Sequence, residues 1–225
     1  MSERLAVLIP AFNAAPSIAE VVRGSAAQLS TVVVVDDGST DETGNVARAA
    51  GAIVIRHESN MGKGAALKTG FKWALEQGLD GVITLDADGQ HLPSEIPKIL
   101  RCHNESGASL VIGGRAHLFG QMLPRRRRAN RFSARAIAWA AHVTLTDSQS
   151  GFRYYSSDLI RTVTLKADGF DLESEVIVRA GALGLRIENT PINLGFVNGL
   201  CTSHYRPIAD TVRIAWTVFR TRYLG

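Results

Sequence analysis

An α/β fold, with a mostly parallel central sheet flanked by helices on both faces, is what this sequence predicts. Three observations carry that expectation. Strand-like and helix-like patterns alternate through the first half of the chain, as they do where parallel strands are joined by crossover helices. Residues 31–35, Thr31-Val32-Val33-Val34-Val35, are β-branched throughout, which marks a strand covered on both faces. The unusual polar clusters, at 10–13, 36–37, 60–64 and 86–90, fall at or just beyond the ends of predicted strands, where open α/β sheets bind ligands.

The elements follow in order. Strands are predicted over 4–9, 31–35, 52–55, 81–85, 110–112 and 186–194. Ser17 with Glu20, and Ser39 with Glu42, have capping-box spacing and open the first two helices, which run to Leu29 and Gly51. The glycine turn Asn60-Met61-Gly62-Lys63-Gly64 opens a third helix that ends near Gly78, and a fourth covers 93–103. A basic helix precedes Asp147, Asp171 starts another, and 210–224 forms an amphipathic last helix.

With 225 residues, 45% of them hydrophobic, the chain can bury a sizeable core in one domain or one domain with an appendage. The apolar run in the first ten residues is too short for a signal peptide. The run at 134–145 is broken by Arg135 and His142 and falls short of the roughly 20 residues a bilayer needs. Cys102 and Cys201 have no ligand spacing, so neither a disulfide framework nor a zinc site is expected, and reduced thiols in the cytosol are. The net charge of +4 hides local clusters.

The densest chemistry lies in residues 82–91. An apolar strand runs into Asp86-Ala87-Asp88-Gly89-Gln90-His91. In an extended segment, side chains at i and i+2 share a side, so Asp86 and Asp88 are expected to face one small volume. Two anions held together call for a cation: a hard divalent ion, Mg²⁺ or Mn²⁺, with Gln90 as a third oxygen and a diphosphate completing its shell. The alternative is a polar loop with solvated aspartates. The first strand is not followed by G-x-G-x-x-G, and no P-loop occurs, which excludes two common nucleotide folds. Lys63 either approaches a phosphate or is a solvated helix-start lysine.

Pro10-Ala11-Phe12-Asn13, Val34-Val35-Asp36-Asp37-Gly38-Ser39, Asn60-x-Gly-Lys-Gly and Asp86-Ala87-Asp88-Gly89-Gln90-His91 together resemble family 2 glycosyltransferases of GT-A fold. Asp147-Ser148-Gln149-Ser150-Gly151-Phe152-Arg153 resembles their dolichyl-phosphate mannosyl- and glucosyltransferase branch. The resemblance covers nearly the whole chain. It implies one glycosyltransferase domain over 1–225, with a Rossmann-like nucleotide-sugar half (1–115) and an acceptor half (116–225). It implies an inverting, metal-dependent transfer of a hexose from a GDP- or UDP-sugar to a polyprenyl phosphate. Pro10, Phe12, Asn13, Val35, Asp36, Asp37, Ser39, Lys63, Asp86, Ala87 and Arg115 would then bind the nucleotide sugar, with Asp86, Asp88 and Gln90 on the metal. Asp147 would be a catalytic base or, if the acceptor is an ionised phosphate, would orient a basic residue. Arg153 would hold phosphate or be structural. The branch carries Arg-x-x-Gly-x-Ser-Lys late in the chain; here Asn198 and His204 replace its arginine and lysine, leaving Ser203, His204 and Arg206 for phosphate contacts. No serine-hydrolase elbow surrounds Ser203-His204.

Residues 125–128 are four consecutive arginines, followed by Arg131 and Arg135 one helical turn apart, with Ile137, Ala138, Trp139 and Ala141 beyond. Arg131 is a candidate acceptor-phosphate residue. Basic beside apolar suits an anionic membrane surface or a lipid phosphate; the alternative is a solvated helix face, and nucleic-acid binding has no other support. Glu173 and Glu175 read as helix N-terminal charges or acceptor-site groups. In the last helix, Val212, Trp216, Phe219 and Tyr223 form one stripe and Arg213, Thr217 and Arg220 another, so it either packs on a core or dimer or lies on a membrane. Peripheral attachment at the inner face of the cytoplasmic membrane follows from the second choice; oligomeric state is not fixed. Two rival functions remain: transfer to a saccharide acceptor in cell-surface polysaccharide assembly, and a non-catalytic nucleotide-sugar-binding module.

Overall fold

A computed structural model describes residues 3–115, 124–195 and 207–223, with backbone alone at 124–132 and 207–212. Among these residues seven strands form one sheet: β1 (Leu5–Ala11), β2 (Val32–Asp36), β3 (Ile53–Arg56), β4 (Gly81–Thr84), β5 (Leu110–Gly114), β6 (Arg153–Ser156) and β7 (Ile187–Pro191), in the order β3-β2-β1-β4-β6-β5-β7. The helices are α1 (Ala15–Ala26), α2 (Thr43–Ala49), α3 (Lys63–Glu76), α4 (Ile96–Ser106), α5 (Pro124–Ala141), α6 (Ser157–Thr162), α7 (Leu172–Ala182) and α8 (Pro207–Tyr223). β1 runs parallel to β2 and β4, β2 to β3, and β5 to β7; β6 alone is antiparallel to its neighbours β4 and β5. The predicted α/β fold with a mostly parallel sheet is the observed one.

Strand alternation sorts the core into two layers. Leu8, Val33, Val35, Val82 and Leu110 meet Leu67 and Phe71 of α3, Ile137 of α5 and Val176 of α7 on one face. Val7, Ile9, Val32, Val34 and Ile83 meet Ile18 and Val22 of α1 and Ile99 of α4 on the other. The valine run of β2 therefore serves both layers, as its composition requires. Pro10 sits inside β1 without loss. Its missing N–H would point toward β4, because Leu8 O accepts from Leu85 N on that side while Ala11 O accepts from Asp37 N on the other. β4 has already ended opposite Leu8, so no ladder bond is forfeited.

Two sequence expectations need correction. Neither capping box forms. Ser17 Oγ donates to the carbonyls of Ala14 (3.3 Å) and Ala87 (2.7 Å), and α1 starts earlier, with Pro16 in its first turn. Ser39 Oγ accepts from Asn13 N (3.0 Å), and α2 starts only at Thr43. Tertiary partners outcompete the local cap in both cases.

The second correction is β6, which the sequence reading leaves as a motif. It enters the sheet between β4 and β5 and joins the second half of the chain to the first. Arg153 opens it and is fully buried: Nε donates to Ser150 O (2.7 Å), Nη1 to Glu173 O (2.7 Å) and Nη2 to Ser148 O (2.8 Å). With its donors turned onto backbone carbonyls, Arg153 is a brace between β6 and α7 and not a phosphate ligand.

The helices settle a choice the sequence leaves open, namely which of their faces are covered. Ile137 and Ala141 of α5 enter the core, leaving Trp139 exposed. In α8 the packed side carries Ile214 and Thr217, not the aromatic stripe. Thr217 Oγ1 donates to Asp171 Oδ2 (2.7 Å) at the start of α7. Trp216, Phe219 and Tyr223 are 57, 49 and 56% exposed and form a ladder of rings with centroids 5.9 and 5.2 Å apart. Among the described residues no helix is long and apolar enough to cross a membrane.

The brace makes a prediction. Arg153→Met leaves several buried carbonyls without donors, so it lowers stability by roughly 2–4 kcal/mol, read as a fall in the urea midpoint without a large change in slope.

Candidate active site

The polar clusters predicted at strand ends do converge. At the end of β2, Asp36 Oδ1 accepts Ser39 N (2.9 Å) and Asp37 organises the turn that precedes α3. Asp37 Oδ1 meets His57 Nδ1 (2.7 Å) and Met61 N (3.0 Å), and Oδ2 accepts Gly62 N (2.8 Å). His57 Nε2 in turn meets Thr69 Oγ1 at 2.9 Å. Gly62 has φ +101°, a conformation L side chains avoid, and the Asp168 carbonyl lies directly where a Cβ would go. Beside this, Asn13 takes φ +50° and its Oδ1 accepts from Thr40 N (2.9 Å). These bonds place Asn13, Asp36, Asp37 and Ser39 at one rim, with Asp37 buried and its oxygens occupied by the turn.

At the end of β4, Asp86 lies beyond the last strand residue and Ala87-Asp88 form a turn. The extended i, i+2 geometry expected from sequence is therefore not what joins the two carboxylates; the turn does, with Asp88 Oδ1 accepting Gln90 N (3.0 Å) and Gly89 at φ +76°. Residues 86–90 are all partly exposed. Burial, then the Asp86 charge, raises the Asp88 carboxyl above its ordinary value. The Asp86 charge is thus felt at Asp88 across a partly exposed turn.

Lys63, the first residue of α3, answers that charge. Its Nζ donates to Asp86 Oδ1 (2.6 Å) and lies 3.1 Å from Glu173 Oε1 on α7. Burial alone would raise Asp86, but the Lys63 charge outweighs it and holds the carboxyl well below the usual range. Gly151 is required beside this pair: a Cβ there would stand 2.5 Å from Asp86 Oδ1 and 2.8 Å from Lys63 Nζ. His91 is buried behind Asp86, where its Nδ1 accepts Asp86 N (3.3 Å). Burial pushes its imidazole down to about 4, with Asp86 opposing and Arg115 and Lys63 adding to the effect.

The third group is Arg115 with Asp147. Arg115 Nε donates to Asp147 Oδ2 (2.8 Å), Nη2 to Oδ1 (3.3 Å), and the Arg115 backbone N–H to Oδ2 (3.1 Å). Asp147 is 1% exposed. Burial raises its carboxyl, but the Arg115 charge and hydrogen bonds, with the N–H of Gln149, hold it below the usual range. A bidentate grip of this kind makes a poor base and a good anchor for a guanidinium. Of the two roles open for Asp147, the geometry favours orienting Arg115.

Some predicted residues lie elsewhere. Val35 is in the core, and the Pro10 side chain is buried in β1, so neither is among the exposed side chains of the strand ends. Phe12 is half-exposed at the rim, and Ala87 contributes the carbonyl held by Ser17. Ser203, His204 and Arg206, and the side chain of Arg131, fall outside the described residues. Nothing in the local sequence marks His57, which shares Asp37, or gives His91 a role of its own within the 86–91 motif. Glu173 lies in the first turn of α7, as a helix N-terminal charge would, and nothing in the local pattern points from there to Lys63.

A family model described as glycosyl transferase family 2 matches residues 6–163. The chain belongs to glycosyl transferase family 2. Curated relatives include the undecaprenyl-phosphate mannosyltransferase of Micrococcus luteus, 34% identical over 84% of this chain and 82% of that one. Another is the UDP-N-acetylglucosamine–dolichyl-phosphate N-acetylglucosaminyltransferase of Methanococcus voltae, 30% identical over 85% and 86%. Among solved structures, glucosyl-3-phosphoglycerate synthase of Mycobacterium tuberculosis, in complex with Mn²⁺, UDP and phosphoglyceric acid, superposes with a TM-score of 0.74 at 22% identity, over 98% of this chain and 77% of that one. At that identity the likeness shows the GT-A fold.

The protein is thus a glycosyltransferase, which sets aside the non-catalytic module, and its relatives agree with the dolichyl-phosphate branch read from the sequence. In this glycosyltransferase the Asp147 carboxyl has a lowered folded value, so its stabilisation is present above its unfolded value of about 3.9 and lost as pH falls through the folded one. Asp147→Asn is expected to cost roughly 3 kcal/mol at pH 7. The gap between the two proteins should close below about pH 4, measured by urea denaturation across pH.

Proposed function

We propose that this glycosyltransferase moves a hexose from a nucleoside-diphosphate sugar to a polyprenyl phosphate, with inversion at the anomeric carbon. The observation that carries the reading is the convergence of Asp86 and Asp88 with Lys63 and the Arg115–Asp147 pair at the carboxyl edge of the sheet. A diphosphate leaving a sugar gathers negative charge, and this edge offers cations to meet it.

The residues fit a divalent ion, Mg²⁺ or Mn²⁺. Asp88 is crowded by the Asp86 charge in a partly exposed turn, and a cation there relieves that repulsion. Asp86 and Asp88 with the Gln90 amide would supply three oxygens and leave the remaining coordination positions for donor phosphate and water. When bound, such an ion neutralises the departing diphosphate. Phe12, Asn13, Asp36, Asp37 and Ser39 would line the nucleoside end. Lys63 and Arg115 would face the phosphates.

In the transfer, an acceptor oxygen forms a bond to the anomeric carbon while the bond from that carbon to the diphosphate oxygen breaks, its electron pair leaving with the nucleotide. A phosphate acceptor is already ionised and needs no strong base. That suits Asp147, whose carboxylate is buried and gripped by Arg115, and it disfavours a saccharide acceptor, whose hydroxyl must lose a proton. The relatives named for undecaprenyl and dolichyl phosphate support the same choice. The exposed ring ladder of α8, with Arg213 and Arg222 also exposed, suits a helix lying at an anionic lipid surface, at the inner face of the cytoplasmic membrane. Residues 116–225 would then form the acceptor half.

Two measurements test this. Purified protein is given GDP- and UDP-sugars with and without polyprenyl phosphate, and nucleotide release is followed. Release that depends on the lipid phosphate and on divalent metal, and that Asp88→Ala lowers by at least roughly 100-fold, is expected. Equal turnover by Asp88→Ala would remove the metal role, and turnover with a sugar acceptor alone would favour the saccharide reading. Separately, replacing Trp216, Phe219 and Tyr223 with Ser is expected to reduce co-sedimentation with anionic vesicles; unchanged sedimentation dismisses the membrane face.

A further inference from the structure

Lys63 stands between two carboxylates that differ in how they hold it. Asp86 Oδ1 accepts a hydrogen bond from its Nζ at 2.6 Å. Glu173 Oε1 stands 3.1 Å from the same Nζ in an ion pair, the longer of the two contacts. The ammonium is therefore shared unequally, closer to Asp86 than to Glu173. The Phe170 ring lies 5.7 Å from Nζ on a further side. Gly151 leaves the space in which the ammonium sits.

Asp86 is also the carboxylate that a divalent ion would take. An ammonium at hydrogen-bond distance from Oδ1 and a divalent cation on the same carboxylate repel each other strongly. One must yield, and Glu173 is placed to receive it. Its position is fixed: Arg153 Nη1 holds the Glu173 carbonyl, and Thr217 of α8 holds Asp171 two residues before it.

We propose that Lys63 is the resident counter-ion of Asp86 in the donor-free enzyme, and that Glu173 is a positioning residue that takes over the ammonium when a divalent ion binds Asp86. The inference rests on the reading of Asp86 and Asp88 as the metal site. It gives Lys63 opposite effects in two states. Without nucleotide it competes with the ion. With nucleotide present, the diphosphate adds negative charge, and the same ammonium favours binding. The metal and the nucleotide therefore enter as a pair, because each offsets what Lys63 does to the other.

The test is Mn²⁺ binding to the purified full chain, followed by the electron paramagnetic resonance signal of free Mn²⁺, with and without UDP or GDP. Without nucleotide, Lys63→Met is expected to bind Mn²⁺ more tightly than wild type, by roughly tenfold, and Glu173→Gln more weakly. With nucleotide, Lys63→Met loses that advantage. The double variant separates hand-over from plain charge. If Glu173 acts through Lys63, adding Glu173→Gln to Lys63→Met changes Mn²⁺ affinity little; a simple field effect would weaken binding equally in both backgrounds. Mn²⁺ affinity in Lys63→Met at or below wild type overturns the proposal, as does an undiminished Glu173→Gln effect in the double variant. Should an uncharged variant fail to fold, Glu173→Asp, one methylene short, must still weaken Mn²⁺ binding and Lys63→Arg must keep it near wild type; the reverse result counts against the hand-over. Asp88→Ala distinguishes the two levels. If it binds Mn²⁺ as wild type does, the metal reading falls. If it loses the ion while Glu173→Gln does not weaken it, only the hand-over falls.

Discussion

Charge balance at the carboxyl edge of β4 is the constraint around which the site is built. Asp86 and Asp88 bring two negative charges into one turn, and Lys63 supplies a positive charge at 2.6 Å from the first. Partial burial raises the Asp86 carboxyl; the Lys63 ammonium outweighs that and holds it ionised. Much of the neighbouring structure exists to hold that ammonium in place. The 60–64 turn delivers Lys63 to the start of α3, Asp37 clamps that turn through the N–H groups of Met61 and Gly62, and Gly151 leaves room for the pair.

The second half of the chain reaches the site through β6. This strand runs antiparallel between β4 and β5, so the segment before it, 147–152, is laid across the ends of both. That is why Asp147 meets Arg115 just beyond β5, and why Gly151 meets Asp86 just beyond β4. Arg153 then ties the same segment to α7, and α7 carries Glu173 to Lys63. One buried arginine thereby fixes the distance between groups contributed by both halves. Its guanidinium is suited to this because five fixed donors can satisfy several carbonyls at once.

The outer surface follows a different logic. α8 docks through small and β-branched side chains, Ile214 and Thr217, and turns its large rings outward. In a helix that only completed a core, the rings would face inward. The Thr217–Asp171 bond connects this helix to the start of α7, so the surface that faces outward and the residue that faces Lys63 are joined through one short segment.

The sequence by itself determined the fold class, the two-faced burial of β2, the strand ends at which polar groups gather, and the family, because these depend on local pattern and on short motifs whose spacing is fixed by chain geometry. Asp36, Asp37, Lys63, Asp86, Asp88 and Arg115 were legible for that reason. Only the tertiary structure decided what those side chains meet. Asp37 is taken up by His57 and the 61–62 backbone, Asp147 by Arg115, and Lys63 by Asp86 and Glu173, partners separated by 20 to 110 residues in the chain. It also placed Val35 in the core, decided for Arg153 the structural role over the phosphate one, and decided which face of α8 is covered. A periodicity of 3.6 says which residues share a stripe but not which stripe is covered, and no local signal states that a buried arginine will find three carbonyls. Those outcomes are set by packing between distant segments, where desolvation and hydrogen bonding are settled together.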